Sequence, residues 1–120
     1  MSLYDKKHVA YSGRLVIVGF GSIGQGVLPL IIRHIDMPAS RISIVTAEPR
    51  GREVAAEYGI EFVEQALTRA NYRDVLAPRL SAGDFLLNLS VDVSSVALIE
   101  FANAQGAFYL DTCIEPWPGG

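Results

Sequence analysis

Short apolar runs alternate along this chain with longer segments of mixed polarity, and glycine, proline or a small polar residue marks most changes of pattern. Arg14 to Val18 reads as a first strand, Ser22 to about Ile35 as a helix, and Arg41 to Ala47 as a second strand. Pro49, Gly51 and the stretch to Tyr58 suggest a short helix stopped by Gly59. Ile60 to Val63 forms a third strand, Arg69 to Leu80 a helix with Thr68 as candidate N-cap, and Asp84 to Leu89 a fourth strand. A last helix from about Ser94 to Gln105 ends at Gly106, and Phe108 to Thr112 is the fifth strand. The runs are continuously apolar rather than alternating, as in parallel strands covered on both faces. Alternating strand and helix with right-handed crossovers predicts an α/β fold, a doubly wound, Rossmann-like parallel sheet of order 3-2-1-4-5 when the expected strands are numbered along the chain. Residues 14–120 are expected to form this domain, behind an N-terminal tail of residues 1–13. Pro29 falls about two turns inside the first helix, where its missing N–H predicts a kink; a neutral packing accident is the preferred reading.

Within that frame the junction of first strand and first helix carries the sharpest signal. Arg14 to Gly26 reads Arg-Leu-Val-Ile-Val-Gly-Phe-Gly-Ser-Ile-Gly-Gln-Gly, a dinucleotide fingerprint in the required strand-to-helix setting. Gly19 permits the tight turn, Gly21 admits backbone close to a pyrophosphate, and Gly24 lets the helix pack on the strand. The unpaired N–H groups of the first turn, at Ser22 and Ile23, then face the phosphates. In an open parallel sheet ligands lie beyond the carboxyl ends of the strands, so Gly19 to Gly24, Thr46 to Arg52, Asn88 to Asp92 and Asp111 to Trp117 should line one cleft.

Composition narrows the possibilities further. The chain has 120 residues, 50% of them hydrophobic, which suits one domain with a real core and some surface meant for a missing domain or partner. Its apolar stretches fall well short of the roughly 20 residues that span a bilayer, so no membrane association is expected. The first residues lack a secretory pattern, which points to a cytoplasmic protein. Formal net charge is −3, with ten basic residues scattered along the chain, which argues against nucleic acid as a partner. Cys113 is the single cysteine and reads as packing, and His8 and His34 have no metal-ligand spacing with it, so no metal is expected.

The strand ends supply candidate chemistry. Thr46 at the end of the second strand, with Glu48 two residues on, stands where a side chain meets the adenine ribose; Glu48 favours NAD, whereas Thr46 with Arg50 and Arg52 would suit a 2′-phosphate. NAD is the preferred reading. Asn88 and Ser90 place polar groups near the expected second ribose or nicotinamide, and their N-x-S pattern is a chance match in a cleft. Ser94 and Ser95 read as caps of the last helix. Asp92 could hold an ammonium group or act as a base, or merely favour the helix start. Pro116 and Pro118 stiffen the exit from the fifth strand and fix where Glu115 points; a rigid carboxylate beside a nicotinamide suits oxidation of an amine to an imine. Trp117 between them reads as packing rather than a cation–π site.

Four stretches together, Gly19-Phe-Gly-Ser-Ile-Gly-Gln-Gly-Val-Leu-Pro-Leu-Ile, Ala66-Leu-Thr-Arg-Ala-Asn-Tyr, Asn88-Leu-Ser-Val-Asp-Val-Ser-Ser and Asp111-Thr-Cys-Ile-Glu-Pro-Trp-Pro-Gly, resemble the bacterial homospermidine synthases of the saccharopine dehydrogenase-like group. The resemblance covers nearly the whole chain from about Arg14. It implies an NAD-dependent enzyme that oxidises putrescine to an imine, exchanges it with a second amine and reduces the product to homospermidine with the same hydride. It also implies Asp92 and Glu115 among the acidic groups around the polyamine and Gly19, Gly21 and Gly24 at the pyrophosphate. Thr46 with Glu48 departs from the simplest acidic strand end of the group. Members of the group are several times longer and homodimeric, so this chain is expected to be an N-terminal piece whose substrate domain lies outside it, binding nucleotide without turnover.

Two other classes fit parts of the pattern. A non-catalytic nucleotide sensor, like the ligand-binding domains that regulate potassium transport, shares the glycine loop but has no need of the segment Asn88 to Ser95 or of Glu115-Pro116-Trp117. A saccharopine-group oxidoreductase acting on an amino acid would place arginines at the cleft mouth, where this chain has Asp92 and Glu115.

Overall fold

A computed structural model describes residues 9–10, 12–20, 22–49, 51–90, 93–111 and 117. Along the chain these form β1 (Val9–Ala10), β2 (Leu15–Val18), α1 (Ser22–His34), β3 (Ile35–Asp36), β4 (Ile42–Thr46), α2 (Arg52–Tyr58), β5 (Glu61–Glu64), α3 (Tyr72–Leu76), β6 (Phe85–Asn88), α4 (Ser95–Gln105) and β7 (Phe108–Asp111). Single 3-10 turns cover Ala39–Arg41 and Ala77–Arg79.

Five strands make one parallel sheet in the order β5-β4-β2-β6-β7, which is the expected 3-2-1-4-5. β2 is central and buried along its whole length, while the outer strand β7 alternates between exposed and half-buried positions and β5 is half-buried only at its two central residues. The alternating burial follows from strand geometry: successive side chains point to opposite faces, and an edge strand is poorly covered. β1 and β3 add a separate parallel pair, Val9 beside Ile35 and Ala10 beside Asp36. It brings part of the expected N-terminal tail against the end of α1.

Each face of the sheet has its own apolar layer. Leu15, Ile17, Ile44 and Leu87 pack with Leu28 of α1 and Ala55 of α2. On the opposite face Val16, Val18, Val45 and Leu86 pack with Tyr72 and Leu76 of α3 and Leu98 and Phe101 of α4. The chain therefore switches faces after β5, and the strand order reverses beside β2, which creates the crevice expected of a doubly wound sheet.

Helix boundaries follow local chemistry. The Ser94 side chain accepts a hydrogen bond from the Ala97 N–H at 3.1 Å and caps α4, which ends at Gly106 in the left-handed region with φ 75°. α2 ends likewise at Gly59, φ 73°. α3 is shorter than the helix expected from Arg69 to Leu80. Thr68 Oγ accepts from the Asn71 N–H at 3.2 Å and Asn71 Oδ1 from the Thr68 N–H at 2.7 Å, a reciprocal pair that closes a turn ahead of the regular helix, which begins at Tyr72. At the other end Pro78, which cannot donate, accompanies the change to a 3-10 turn. α1 runs through Pro29, which faces solvent.

The amino-terminal edge of the sheet is tied by Asp84, only 5% exposed. Its carboxylate accepts from the Arg14 N–H at 2.8 Å, Arg14 Nε at 3.0 Å and the Ser81 N–H at 2.8 Å. Arg14 also donates to the Pro78 carbonyl and Ser81 Oγ, both at 3.0 Å. A buried charge held by three donors avoids the desolvation cost of standing alone.

Candidate dinucleotide site

At the carboxyl end of β2 the backbone turns at Gly19, whose φ of +84° lies in the region that side chains disfavour. The Gly19 N–H donates to the Val45 carbonyl at 2.8 Å, and the Leu89 N–H donates to the Val18 carbonyl at 2.8 Å. A Cβ at Gly19 would lie 2.9 Å from both the Cα and the N of Ser90, so the glycine serves a backbone-to-backbone approach as well as the turn. The loop after β2 and the loop after β6 thus lie against each other at the switch point.

Phe20, the residue between the first two glycines of the fingerprint, is 1% exposed. A Cβ at Gly51, φ +93°, would fall 2.3 Å from the Phe20 ring. The aromatic ring therefore occupies the space that a side chain at the start of α2 would need, and it joins the glycine loop to the loop after β4. This contact was absent from the sequence reading because it links positions far apart in the chain; the apolar residue inside a glycine loop was the available signal.

Thr46 ends β4 in a largely buried position, and its carbonyl accepts from the Gln65 N–H at 2.7 Å. Glu48, just beyond it, is exposed. Arg52 donates to Glu64 at 2.6 Å and lies over the Phe62 ring, 4.9 Å from its centroid. Those partners belong to β5, so the arginine reads as part of the α2–β5 surface. Arg50 lies outside the described residues.

The end of β6 carries a connected polar group. Asn88 is 1% exposed and stands in register between Val18 and Asp111. Its Oδ1 accepts from the Ser90 N–H at 3.0 Å and the Ser90 hydroxyl at 2.6 Å, while its Nδ2 donates to the Tyr109 hydroxyl at 3.1 Å. Tyr109 in turn donates to Asp111 Oδ2 at 2.9 Å. Burial, with Asp111 as acceptor, pushes the Tyr109 phenol up to about 12, although the Asn88 and Ser95 hydrogen bonds oppose that shift. Tyr109 remains a neutral donor at physiological pH. Asn88, Ser90 and Asp111 all belong to stretches expected at the cleft; nothing in the sequence marks Tyr109, because an isolated tyrosine in a strand resembles any other half-buried aromatic, and the link it makes between Asp111 and Asn88 depends on the pairing of β6 with β7.

Of the remaining candidates, Ser22, Ile23 and Gly24 form the first turn of α1 directly beyond Gly19 and Phe20. Gly21, Asp92 and Glu115 lie outside the described residues, as does Cys113. Trp117 packs on the core, its ring centroid 5.5 Å from that of Tyr72, in keeping with the packing reading. Among the described residues no cluster of His, Cys, Asp and Glu is arranged to hold a metal, and no helix is long and apolar enough to cross a membrane.

A cavity of about 390 Å³ lies at the opposite edge of the sheet, beside Arg14, Arg41, Arg79 and Glu61. Arg79 bonds Glu61 at 3.0 Å and the Val75 carbonyl at 2.8 Å, and Arg14 is engaged as described above. Arg14 and Arg79 thus serve carboxylates and backbone carbonyls at the edge away from the glycine loop.

A profile of the Saccharopine dehydrogenase NADP binding domain matches residues 15–118, which include the glycine turn and both loops that meet it. The chain belongs to this family. Two relatives are homospermidine synthases: that of Blastochloris viridis is 46% identical over 110 residues, and that of Mesorhizobium japonicum 43% over 111. The alignments take in 89% and 90% of this chain but 23% of either relative, so the chain spans about a quarter of their length. Among solved structures, the homospermidine synthase of Legionella pneumophila in complex with NAD superposes with a TM-score of 0.89 at 39% identity, over 93% of this chain and 24% of that one. This saccharopine dehydrogenase-type domain is thus similar in sequence to the matching quarter of those three synthases, and in fold to that of Legionella pneumophila.

Proposed function

We propose that this chain is the NAD-binding part of a homospermidine synthase. The observation that carries the reading is the likeness to a synthase crystallised with NAD, over 93% of this chain, combined with a glycine turn at Gly19 that a Cβ would fill. The cradle fits a pyrophosphate: Gly19 and Gly21 would admit the phosphates, the N–H groups of Ser22, Ile23 and Gly24 would face them, and Thr46 with Glu48 would receive the adenine ribose. The engagement of Arg52 with Glu64 and Phe62 favours NAD over a cofactor bearing a 2′-phosphate. Asn88 and Ser90 would border the second ribose and the nicotinamide.

The cofactor, when bound, accepts a hydride and later returns it. In the proposed reaction putrescine loses that hydride and a proton to become an imine; a second amine adds to the imine carbon, ammonia leaves, and the new imine regains the hydride and a proton as homospermidine. Asp92 and Glu115 would pair with the ammonium groups, and one of them would take the proton released on oxidation. The substrate domain and a homodimer contact would belong to a longer, cytoplasmic protein.

Calorimetric titration of the 120-residue chain with NAD and NADP tests the reading. Saturable NAD binding, weaker NADP binding and loss of both in Gly21→Val are expected. No binding of either nucleotide would overturn it, and a preference for NADP would overturn the role given to Glu48.

A further inference from the structure

The hydrogen bonds at the ends of β6 and β7 have a direction. Asp111, when ionised, can only accept, so the Tyr109 hydroxyl spends its single proton there, at 2.9 Å. The oxygen of that hydroxyl is left as an acceptor, and Asn88 must present its Nδ2 group to it, at 3.1 Å. The Asn88 side chain is almost wholly buried, so its Oδ1 is committed to the other side, where it accepts from both the N–H and the hydroxyl of Ser90. Ser90 is the residue whose backbone closes on Gly19. An amide that turned over would set its N–H₂ group against the Ser90 N–H and its Oδ1 against the Tyr109 oxygen, whose proton is already on Asp111, and lose both of those bonds.

We propose that Tyr109 and Asp111 are positioning residues for the dinucleotide site, acting through Asn88 to hold Ser90 against the glycine turn. The inference rests on the NAD-binding reading above, but it adds two residues of the edge strand and a stated polarity. Neither side chain needs to touch the cofactor. The carboxylate of Asp111 sets which way the Tyr109 proton points, that sets the Asn88 amide, and the amide sets the Ser90 loop.

The test uses the 120-residue chain, with NAD affinity measured by calorimetry and the Asn88 side-chain and Ser90 backbone amides followed by nitrogen–proton NMR. Tyr109→Phe and Asp111→Ala should each weaken NAD binding about five-fold, the usual net worth of one hydrogen bond felt indirectly, and shift both sets of amide resonances. The double variant should bind no worse than either single one, because the two residues act in series. Asp111→Asn keeps an acceptor for the Tyr109 proton and should restore nearly normal affinity. Equal losses in Asp111→Asn and Asp111→Ala would overturn the proposal in favour of a direct charge effect. A lower Tm in Tyr109→Phe with unchanged affinity and unchanged Ser90 resonance would overturn it in favour of packing alone. If the unsubstituted chain takes no NAD, the cofactor reading falls and the proposal falls with it; if it binds NAD and Tyr109→Phe changes nothing, the proposal alone fails.

Discussion

Glycine at two positions in this chain answers different demands, and substitution separates them. Gly19 and Gly59 both have positive φ, +84° and +73°, but a Cβ at Gly19 meets the Ser90 backbone at 2.9 Å whereas one at Gly59 meets nothing within 4 Å. Gly59→Ala should therefore cost only the left-handed conformation, about 1 kcal/mol. Gly19→Ala adds displacement of a backbone that cannot yield as a flexible side chain would, and should cost about 2 kcal/mol more, the usual scale of an overpacked site. Urea unfolding of the two variants checks the difference; equal midpoints would show that the β6 loop moves freely away from the glycine turn. The fingerprint made Gly19 legible from sequence, but its partner Ser90 became visible only when β2 and β6 were placed side by side.

The edge strand β5 shows how a short element with little burial is held. Glu61 at its start accepts from Ser43 Oγ of β4 at 2.7 Å and from Arg79 Nε at 3.0 Å. The Ser43 hydrogen bond and then the Arg79 guanidinium hold the Glu61 carboxyl below its ordinary value of 4.5, against a smaller opposing effect of burial. A carboxyl lowered in the folded state binds its proton first in the unfolded chain, so its contribution is present above about pH 4.5 and fades as pH falls through the depressed value. Glu61→Gln should destabilise by less than about 1 kcal/mol near pH 7, since Glu61 is half exposed, and the difference should shrink once the Glu61 carboxyl is protonated in both the folded and the unfolded chain. Thermal unfolding at several pH values checks this, and a difference that persists undiminished in acid would sink it. At this scale the sequence located all five strands of the main sheet. It overextended α3 because the turn closed by Thr68 and Asn71 and the 3-10 turn at Pro78 compete with helical periodicity over a short segment.

Across the whole molecule the two sheet faces are unequally covered at the β7 edge. Phe108 and Leu110 are 60% and 56% exposed, and Phe108 stacks loosely on Phe85 at 6.3 Å between ring centroids. An edge strand bearing apolar side chains and unpaired backbone groups invites association. The 120-residue chain should self-associate at high concentration, with a weight-average mass in sedimentation equilibrium above its own 13.0 kDa, and Phe108→Lys with Leu110→Lys should return it to the monomer mass. A monodisperse unsubstituted chain would refute this.

The order of elements, the sheet class and the glycine turn follow from the sequence by itself, because each rests on local rules: apolar period, caps, and the few residues that tolerate a positive φ. Contacts between distant positions do not follow from such rules. Phe20 against Gly51, Asp84 beneath Arg14, and the path from Asp111 through Tyr109 and Asn88 to Ser90 all join residues from separate elements. Only the parallel register, which sets Asn88 between Val18 and Asp111, brings those groups within hydrogen-bonding range, and it does so because the buried core permits one alignment of the strands.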